Sequence, residues 1–127
     1  MQKREINAEH APQPPSLDSQ AVEVFRANRI FFISGKPGME ADGTTRPTMA
    51  EQARLAWRNV GAQLSAAGMS FDNLVKVTII IPDANEVLAS RAARAAALGD
   101  RRPASTLIIA GLANPAWKIE IEAIACA

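Results

Sequence analysis

Two glutamates near the C-terminus, Glu120 and Glu122, have a spacing that suggests chemistry. They alternate with apolar residues in a segment of β type, so their side chains share one face of a strand. A carboxylate there can take a proton from water as the water attacks an electrophilic carbon, and the hydroxyl of Ser34 or Ser105 could stabilise the charge that develops. The alternative is that both glutamates are solvated surface charges, and Glu122 in particular is expected to be structural.

Other reactive residue types lack suitable partners in the sequence. His10, the only histidine, lies in a polar stretch with no acid or serine spacing typical of a triad. Cys126 is the only cysteine, which excludes an intramolecular disulfide and a cysteine-based zinc site, and we interpret it as an inert thiol. Gly35 and Gly38 are too sparse for a phosphate-binding loop and are expected in turns.

Length and charge limit the class of protein. The chain has 127 residues with 14 basic and 13 acidic side chains, a formal net charge of +1. This length suits one domain over residues 1–127, and the charge offers no field to attract nucleic acid or a membrane surface. The longest apolar runs, 78–82 and 107–112, are far shorter than the roughly 18 to 20 residues of a membrane span. The first ten residues lack the apolar region of a secretory signal, so we expect a cytoplasmic protein.

The hydrophobic pattern predicts the order β-β-α-β-α-β-β after an irregular N-terminal arm. The arm covers residues 1–18 and holds three prolines. Two segments rich in β-branched and aromatic residues, 21–24 and 29–34, predict a hairpin, and 39–47 predicts a polar loop. The remaining predicted strands are 75–81, 105–110 and 117–125.

Two helices are predicted from capping residues and from apolar residues at helical spacing. The first places Trp57 in the core. The apolar residues of the second are expected to pack on the sheet, and are Val87, Leu88, Ala92, Ala95, Ala96 and Leu98. The predicted start signals are Thr48 with Glu51 and then Asp83 or Asn85, and the predicted stop signals are Gly68 and Gly99.

This order indicates an α+β domain with two helices on one face of a sheet. Residues 78–81 and 107–110 are apolar at both odd and even positions, as in strands that are covered on both faces. Because two helices cover only one face, we expect a second copy of the chain to cover the other. The sequence therefore predicts a homo-oligomer.

Five segments together resemble the RidA/YjgF family of enamine/imine deaminases. They are SQAV at 19–22, FISG at 32–35, DNLVKVT at 72–78, PAST at 103–106 and IEIEAIA at 119–125. The resemblance implies a chorismate-mutase-like α+β subunit, a homotrimer and small-molecule clefts between neighbouring subunits. It also implies hydrolysis of 2-imino or 2-enamino acids to 2-oxo acids and ammonia, without a metal or organic cofactor.

The resemblance also implies roles for individual residues. Glu120 matches the family's acidic residue on the last strand, which holds or activates the attacking water. Ser34 and Gly35 match a strand end that lines the cleft, Ser105 follows the family's usual arginine position, and Arg91 matches a polar position that faces the cleft. We also assign Trp117 to a cleft wall or to a subunit boundary.

Two positions depart from the family pattern. Ala104 stands where the family's deaminases have arginine, and Asp18 stands where they have tyrosine. Alanine cannot grip a carboxylate, and losing a hydrogen bond to a charged group, worth about 1.5–3 kcal/mol, weakens binding roughly tenfold to a hundredfold. Arg91, or Arg102 with its neighbour Arg101, is a candidate to replace the lost charge from another direction.

These residues predict water addition to a small enamine, imine or carbonyl metabolite other than a standard 2-imino acid, assisted by Glu120. The alternative is a non-catalytic ligand-binding or interaction protein that kept the fold after losing the arginine. RNA cleavage, a label that some members of the family bear, is disfavoured by the net charge and by the lack of a basic aromatic patch.

Overall fold

The computed structural model describes residues 1–13 and 18–127, which build a four-stranded mixed sheet, two α-helices and a separate two-stranded ribbon. This arrangement confirms the α+β class. The elements are β1 Gln2–Ile6, β2 Ala21–Phe25, β3 Ile30–Pro37, α1 Met49–Ala66, β4 Leu74–Ile81, α2 Val87–Leu98, β5 Ala104–Ile109 and β6 Glu120–Cys126, with 3-10 turns at Phe71–Asn73 and Ala84–Glu86.

The first helix begins at the predicted capping box. The backbone N–H of Glu51 donates to the Thr48 hydroxyl at 3.2 Å, and the Thr48 N–H donates to the Glu51 carboxylate at 3.3 Å. These bonds satisfy amides that have no partner within the helix. Just beyond the helix, Gly68 takes a φ of +71°, which glycine adopts without steric cost and which ends α1.

The second helix starts and packs differently from the prediction. Asp83 caps the 3-10 turn before α2, accepting from the Asn85 N–H, and α2 itself has no side-chain cap. The buried face of α2 consists of Ser90, Arg94 and Leu98. Four residues that we expected to pack on the sheet are exposed, so the prediction was wrong for Leu88, Ala92, Ala95 and Ala96. Alanine is too small for its position on the helix to decide which face is buried.

The sheet has the strand order β3-β6-β4-β5. Strands β4 and β5 are parallel, and α2 forms the crossover between them, whereas β6 runs antiparallel to both of its neighbours. Strands β3 and β5 are therefore the two edges. Buried residues of both helices and of the sheet form one hydrophobic cluster, in which Trp57 lies as predicted, 2% exposed and edge-on to Phe71.

The N-terminal predictions need two corrections. Residues 2–6 of the expected irregular arm form β1, which pairs antiparallel with β2, while 14–17 lie outside the described residues. Every residue of β1 is exposed, so no hydrophobic alternation marks the strand. The predicted hairpin is also wrong, because β3 pairs with β6 and the N–H groups of Asn28 and Arg29 donate to the Ala127 carbonyl instead of to β2.

The last strand begins at Glu120, three residues later than expected. A side chain binds the preceding segment: the buried Gln52 accepts from the Lys118 N–H at 2.8 Å and donates to the carbonyls of Ala116 and Arg46. The Gln52 side chain on α1 therefore makes the backbone hydrogen bonds to the segment before β6 that a neighbouring strand would otherwise make.

The sheet face turned away from the helices is open in the single chain. Ile30, Phe32 and Ile108 on this face are 63%, 71% and 41% exposed. These side chains lie on the two edge strands, β3 and β5. Large apolar side chains exposed in this way are typical of interaction surfaces.

Candidate functional site

Gly35 and Glu120 come together at one end of the open sheet face. The register of β3 against β6 shifts between Ile33 and Lys36. On its other side β6 pairs with β4, where Glu120 lies opposite Ile80. A Cβ at Gly35 would lie only 2.3 Å from the Glu120 carboxylate oxygen, so the carboxylate rests directly on the glycine backbone. The structure thus brings two predicted site residues into contact.

The shared face of the two glutamates is confirmed. Ile121, which lies between the two glutamates, and Ala123, which follows them, are buried in the core. Glu120 is half-buried and Glu122 is exposed. Glu120 is the more shielded of the two, because it lies against Gly35. Glu122 reaches a more open part of the same face.

Ser34 and Glu122 line a cavity of about 340 Å³ on the open face, together with Lys76 and Thr78. The Lys76 ammonium donates to the Thr106 hydroxyl at 2.5 Å. Sequence reasoning missed Lys76, although its position between buried residues of an alternating strand marks the outward face. Ser34 lies next to Gly35 in sequence, so this cavity adjoins the Gly35–Glu120 contact.

A second cavity of about 230 Å³ lies between α2 and β5. Asp18, Arg91 and Ser105, all predicted site residues, line it. Arg94 lines it too and was not predicted; its guanidinium Nη2 lies 2.6 Å from the Asp18 carboxylate and donates to the Ser105 hydroxyl at 3.3 Å. In this cavity, Asp18, one of the two positions that depart from the family pattern, therefore forms an ion pair with Arg94 of α2.

Arg94 is 5% exposed and is the most buried charged side chain among the described residues. Burial lowers the pKa of its guanidinium, the negative charge of Asp18 opposes that shift, and the positive charge of Arg102 adds to it. The ion pair with Asp18 therefore stabilises the charged guanidinium in this position.

Arg102 and Arg101 lie elsewhere. Arg102 is exposed and does not line the α2–β5 cavity, although its carbonyl accepts a hydrogen bond from the Ser19 hydroxyl and its charge acts on Arg94. Arg101 forms an ion pair with Asp72 at 2.6 Å. Of the arginines considered from sequence, Arg91 is the one that lines this cavity.

Trp117 stands apart from both groups. It is half-buried beside a small cavity of about 120 Å³, which Asp83 and Glu86 also line. Its indole N–H finds no hydrogen-bond partner among the described residues. The assignment of Trp117 to a cleft wall or a subunit boundary stays a prediction.

The two groups of site residues do not meet within one chain. Glu120 is paired with Ile80, and Ile80 is paired with Ile108, three residues beyond Ser105. Two strand spacings and three residues along β5 put the Cα atoms of Glu120 and Ser105 roughly 14 Å apart. Ser105 turns toward α2, whereas Glu120 turns toward the open face. A small ligand therefore cannot touch both groups within one chain.

No helix among the described residues is long and apolar enough to cross a membrane. Across 1–13 and 18–127, no three His, Cys, Asp or Glu side chains gather in a way that could hold a metal ion.

The fold and the site define a small α+β domain whose two polar groups lie on opposite faces of its sheet. A family model described as Endoribonuclease L-PSP matches residues 9–127, and the chain belongs to this family, the RidA/YjgF family. The earlier resemblance is thereby confirmed.

Relatives and solved structures agree with this membership. A Capra hircus protein named 2-iminobutanoate/2-iminopropanoate deaminase is 34% identical over 125 residues, 97% of this chain and 89% of the other. The Schizosaccharomyces pombe protein mmf2, mitochondrial, is 33% identical, covering 81% and 84% of the two chains. The crystal structure of YyfB from Yersinia pestis, titled a Rid-family protein of unknown function, superposes with a TM-score of 0.87 at 28% identity and covers 100% of both chains.

Proposed function

We propose that this protein hydrolyses a small enamine or imine metabolite, with Glu120 as the residue that activates the attacking water. The observation that carries the proposal is the Glu120 carboxylate lying on the backbone of Gly35, whose neighbour in sequence, Ser34, lines a cavity of the open face. The deaminase name of the caprine relative supports the same reaction class.

The chemistry requires little beyond a carboxylate and a hydrogen-bond donor. As the water oxygen bonds to the imine carbon, Glu120 accepts a water proton and the C=N π electrons move onto nitrogen. Glu120 returns this proton to nitrogen, which gives the neutral carbinolamine. In a second transfer Glu120 takes the hydroxyl proton of the carbinolamine and delivers it to nitrogen, so that the C–N bond breaks and ammonia leaves with the carbonyl product. We propose that the hydroxyl of Ser34, which lines the cavity on this face, hydrogen-bonds the changing charge.

We further propose that the active form is a homotrimer with one cleft at each seam between subunits. Two features support this: the exposed apolar residues of the open face, and the separation of the two polar groups, which lie on opposite faces of the sheet. A seam in which the open face of one copy packs beside the β5 edge of the next would bring Glu120 near the α2–β5 cavity of its neighbour.

Ala104 argues that the substrate is not a standard 2-imino acid held from β5. Its side chain lies on the face of β5 opposite Ser105, and nothing at this position can grip a carboxylate. Reinstating the family residue as Ala104→Arg should raise activity on standard imino acids if only this anchor is missing. No gain would mean that the cleft has been rebuilt for another substrate.

The alternative is a ligand-binding protein without catalysis. It is favoured by Asp18, which stands at the family's tyrosine position and forms an ion pair with Arg94. One assay separates the two. An amino-acid oxidase or a dehydratase generates imines, and their decay is followed with the wild type, Glu120→Gln and Glu5→Gln. Catalysis predicts that Glu120→Gln loses the acceleration and that Glu5→Gln, a change at an exposed glutamate of β1 that lines neither cavity, keeps it. If imines decay at the uncatalysed rate in the presence of the wild-type protein, catalysis is excluded and the ligand-binding alternative stands.

A further inference from the structure

The α2–β5 cavity contains a buried hydroxyl that the fold does not satisfy. Ser90 is 1% exposed, and its Oγ has no hydrogen-bond partner among the described residues, although it borders the cavity. Burying a hydroxyl without a partner costs free energy, so such a group in a cavity wall indicates a bound acceptor. A core that needed only packing would have an apolar side chain here.

Ser90 does not stand alone. Arg91 and Arg94 follow it at positions that place all three side chains on the cavity side of α2. The residues that line the cavity thus include two arginines against one aspartate, Asp18, an excess of one positive charge, and the Arg102 charge is near enough to act on Arg94. The cavity accordingly favours an anion over a neutral ligand.

Arg94 is held in place before any ligand arrives. Asp18 binds its Nη2 at 2.6 Å and Ser105 accepts from it at 3.3 Å, while the Ser105 hydroxyl also donates to the Pro103 carbonyl at 3.4 Å. A guanidinium whose orientation is set by the protein loses less freedom on binding a carboxylate than a free surface arginine does.

We propose that Ser90, Arg91 and Arg94 form a carboxylate-binding site that replaces the arginine missing at position 104. It holds the acid group of a small ligand from α2, on the opposite side of β5 from Ala104. Asp18 is a positioning residue for Arg94. The identification of this ligand as the substrate rests on the proposed function, whereas the binding itself does not.

The test measures binding of two oxo acids, 2-oxobutanoate and 4-oxopentanoate, to the wild-type protein by NMR titration, with 2-butanone as the uncharged control. At least one acid should bind, and the ketone should bind at least tenfold more weakly. Ser90→Ala and Arg91→Gln should each weaken binding of the acid roughly tenfold, the effect of one hydrogen bond to a charged group. Arg54→Gln, an exposed arginine on α1, should leave it unchanged.

Arg94→Met removes the buried charge and is expected to weaken binding by tenfold to a hundredfold. Because this variant leaves Asp18 without its arginine and can lose its fold, Ser90→Ala is the decisive one: removing an unpartnered hydroxyl should not lower the melting temperature. Unchanged affinity in both Ser90→Ala and Arg91→Gln, or equal binding of acid and ketone, would overturn the proposal.

The same variants separate this inference from the proposed function. Acid binding that depends on Ser90 and Arg91, in a protein that does not accelerate imine decay, leaves the site standing and refutes the catalysis. Imine hydrolysis that depends on Glu120, with a KM unchanged by Ser90→Ala and Arg91→Gln, refutes the site and leaves the catalysis standing.

Discussion

Gly35→Ala tests the placement of the Glu120 carboxylate. The added methyl group would lie 2.3 Å from the carboxylate oxygen, 2.7 Å from Cδ and 2.9 Å from Cγ of Glu120. The φ of Gly35 is not in the left-handed region, so alanine fits the backbone. What must move is the end of a flexible side chain, and we expect the variant to fold.

The size of the movement follows from these distances. Ordinary contact with a methyl group begins near 3.4 Å, so the oxygen must withdraw by about 1 Å. A misplacement of about 1 Å in a catalytic group can reduce the rate on the order of a hundredfold. We therefore expect kcat for imine hydrolysis to fall about a hundredfold, close to the loss in Glu120→Gln.

The assay is imine decay as above, together with thermal unfolding of each variant. Gly111→Ala is the control, because a Cβ at Gly111 meets nothing within 4 Å. Its kcat and melting temperature should match those of the wild type. If Gly35→Ala keeps the wild-type kcat while Glu120→Gln loses activity, the carboxylate does not act from its position on Gly35 and the reasoning fails.

Three further predictions address the interface, the loop packing and the pH response. Phe32→Glu, a change at a 71% exposed side chain, should give a monomeric mass in light scattering without loss of fold. Gly38→Ala would put a Cβ 2.2 Å from the Gln52 carbonyl on α1, backbone that cannot yield, and should cost about 1–3 kcal/mol, a fall in Tm of roughly 4–12 °C. Hydrogen bonds from Arg58 and Arg46 hold the pKa of Glu40 below its ordinary value of 4.5. This pairing stabilises the fold above that value and is lost as the pH falls through the lower folded pKa, so the wild-type Tm should drop more steeply in acid than that of Glu40→Gln.

Each of these has a contrary outcome. Leu88→Glu, at a 77% exposed residue of α2, is the control for Phe32→Glu, and equal masses for the two variants and the wild type would exclude the open face as the seam. If Gly38→Ala has the same melting temperature as Gly111→Ala, the 39–47 loop can move away from α1 and the expected loss of stability is refuted. Parallel Tm curves for the wild type and Glu40→Gln below pH 4.5 would exclude the proposed linkage.

The sequence determined those features whose signals are local. The capping box at Thr48 and the helical spacing after it specified α1, because each signal acts within one or two turns. Strict alternation specified β4 and the shared face of Glu120 and Glu122, because neighbouring side chains of a strand point to opposite sides. Five segments in order were enough to indicate the family.

Tertiary structure decided the rest, because those features depend on pairings between distant residues. The exposed residues of β1 show no alternation, and the partner of β3 is β6, some ninety positions along the chain. The alanine-rich sequence of α2 does not favour burial of one particular face. Packing and the ion pair with Asp18 therefore determined that the face bearing Ser90 and Arg94 is buried. A buried charge is tolerated only where the fold supplies its counter-charge, and no sequence pattern shows where that is.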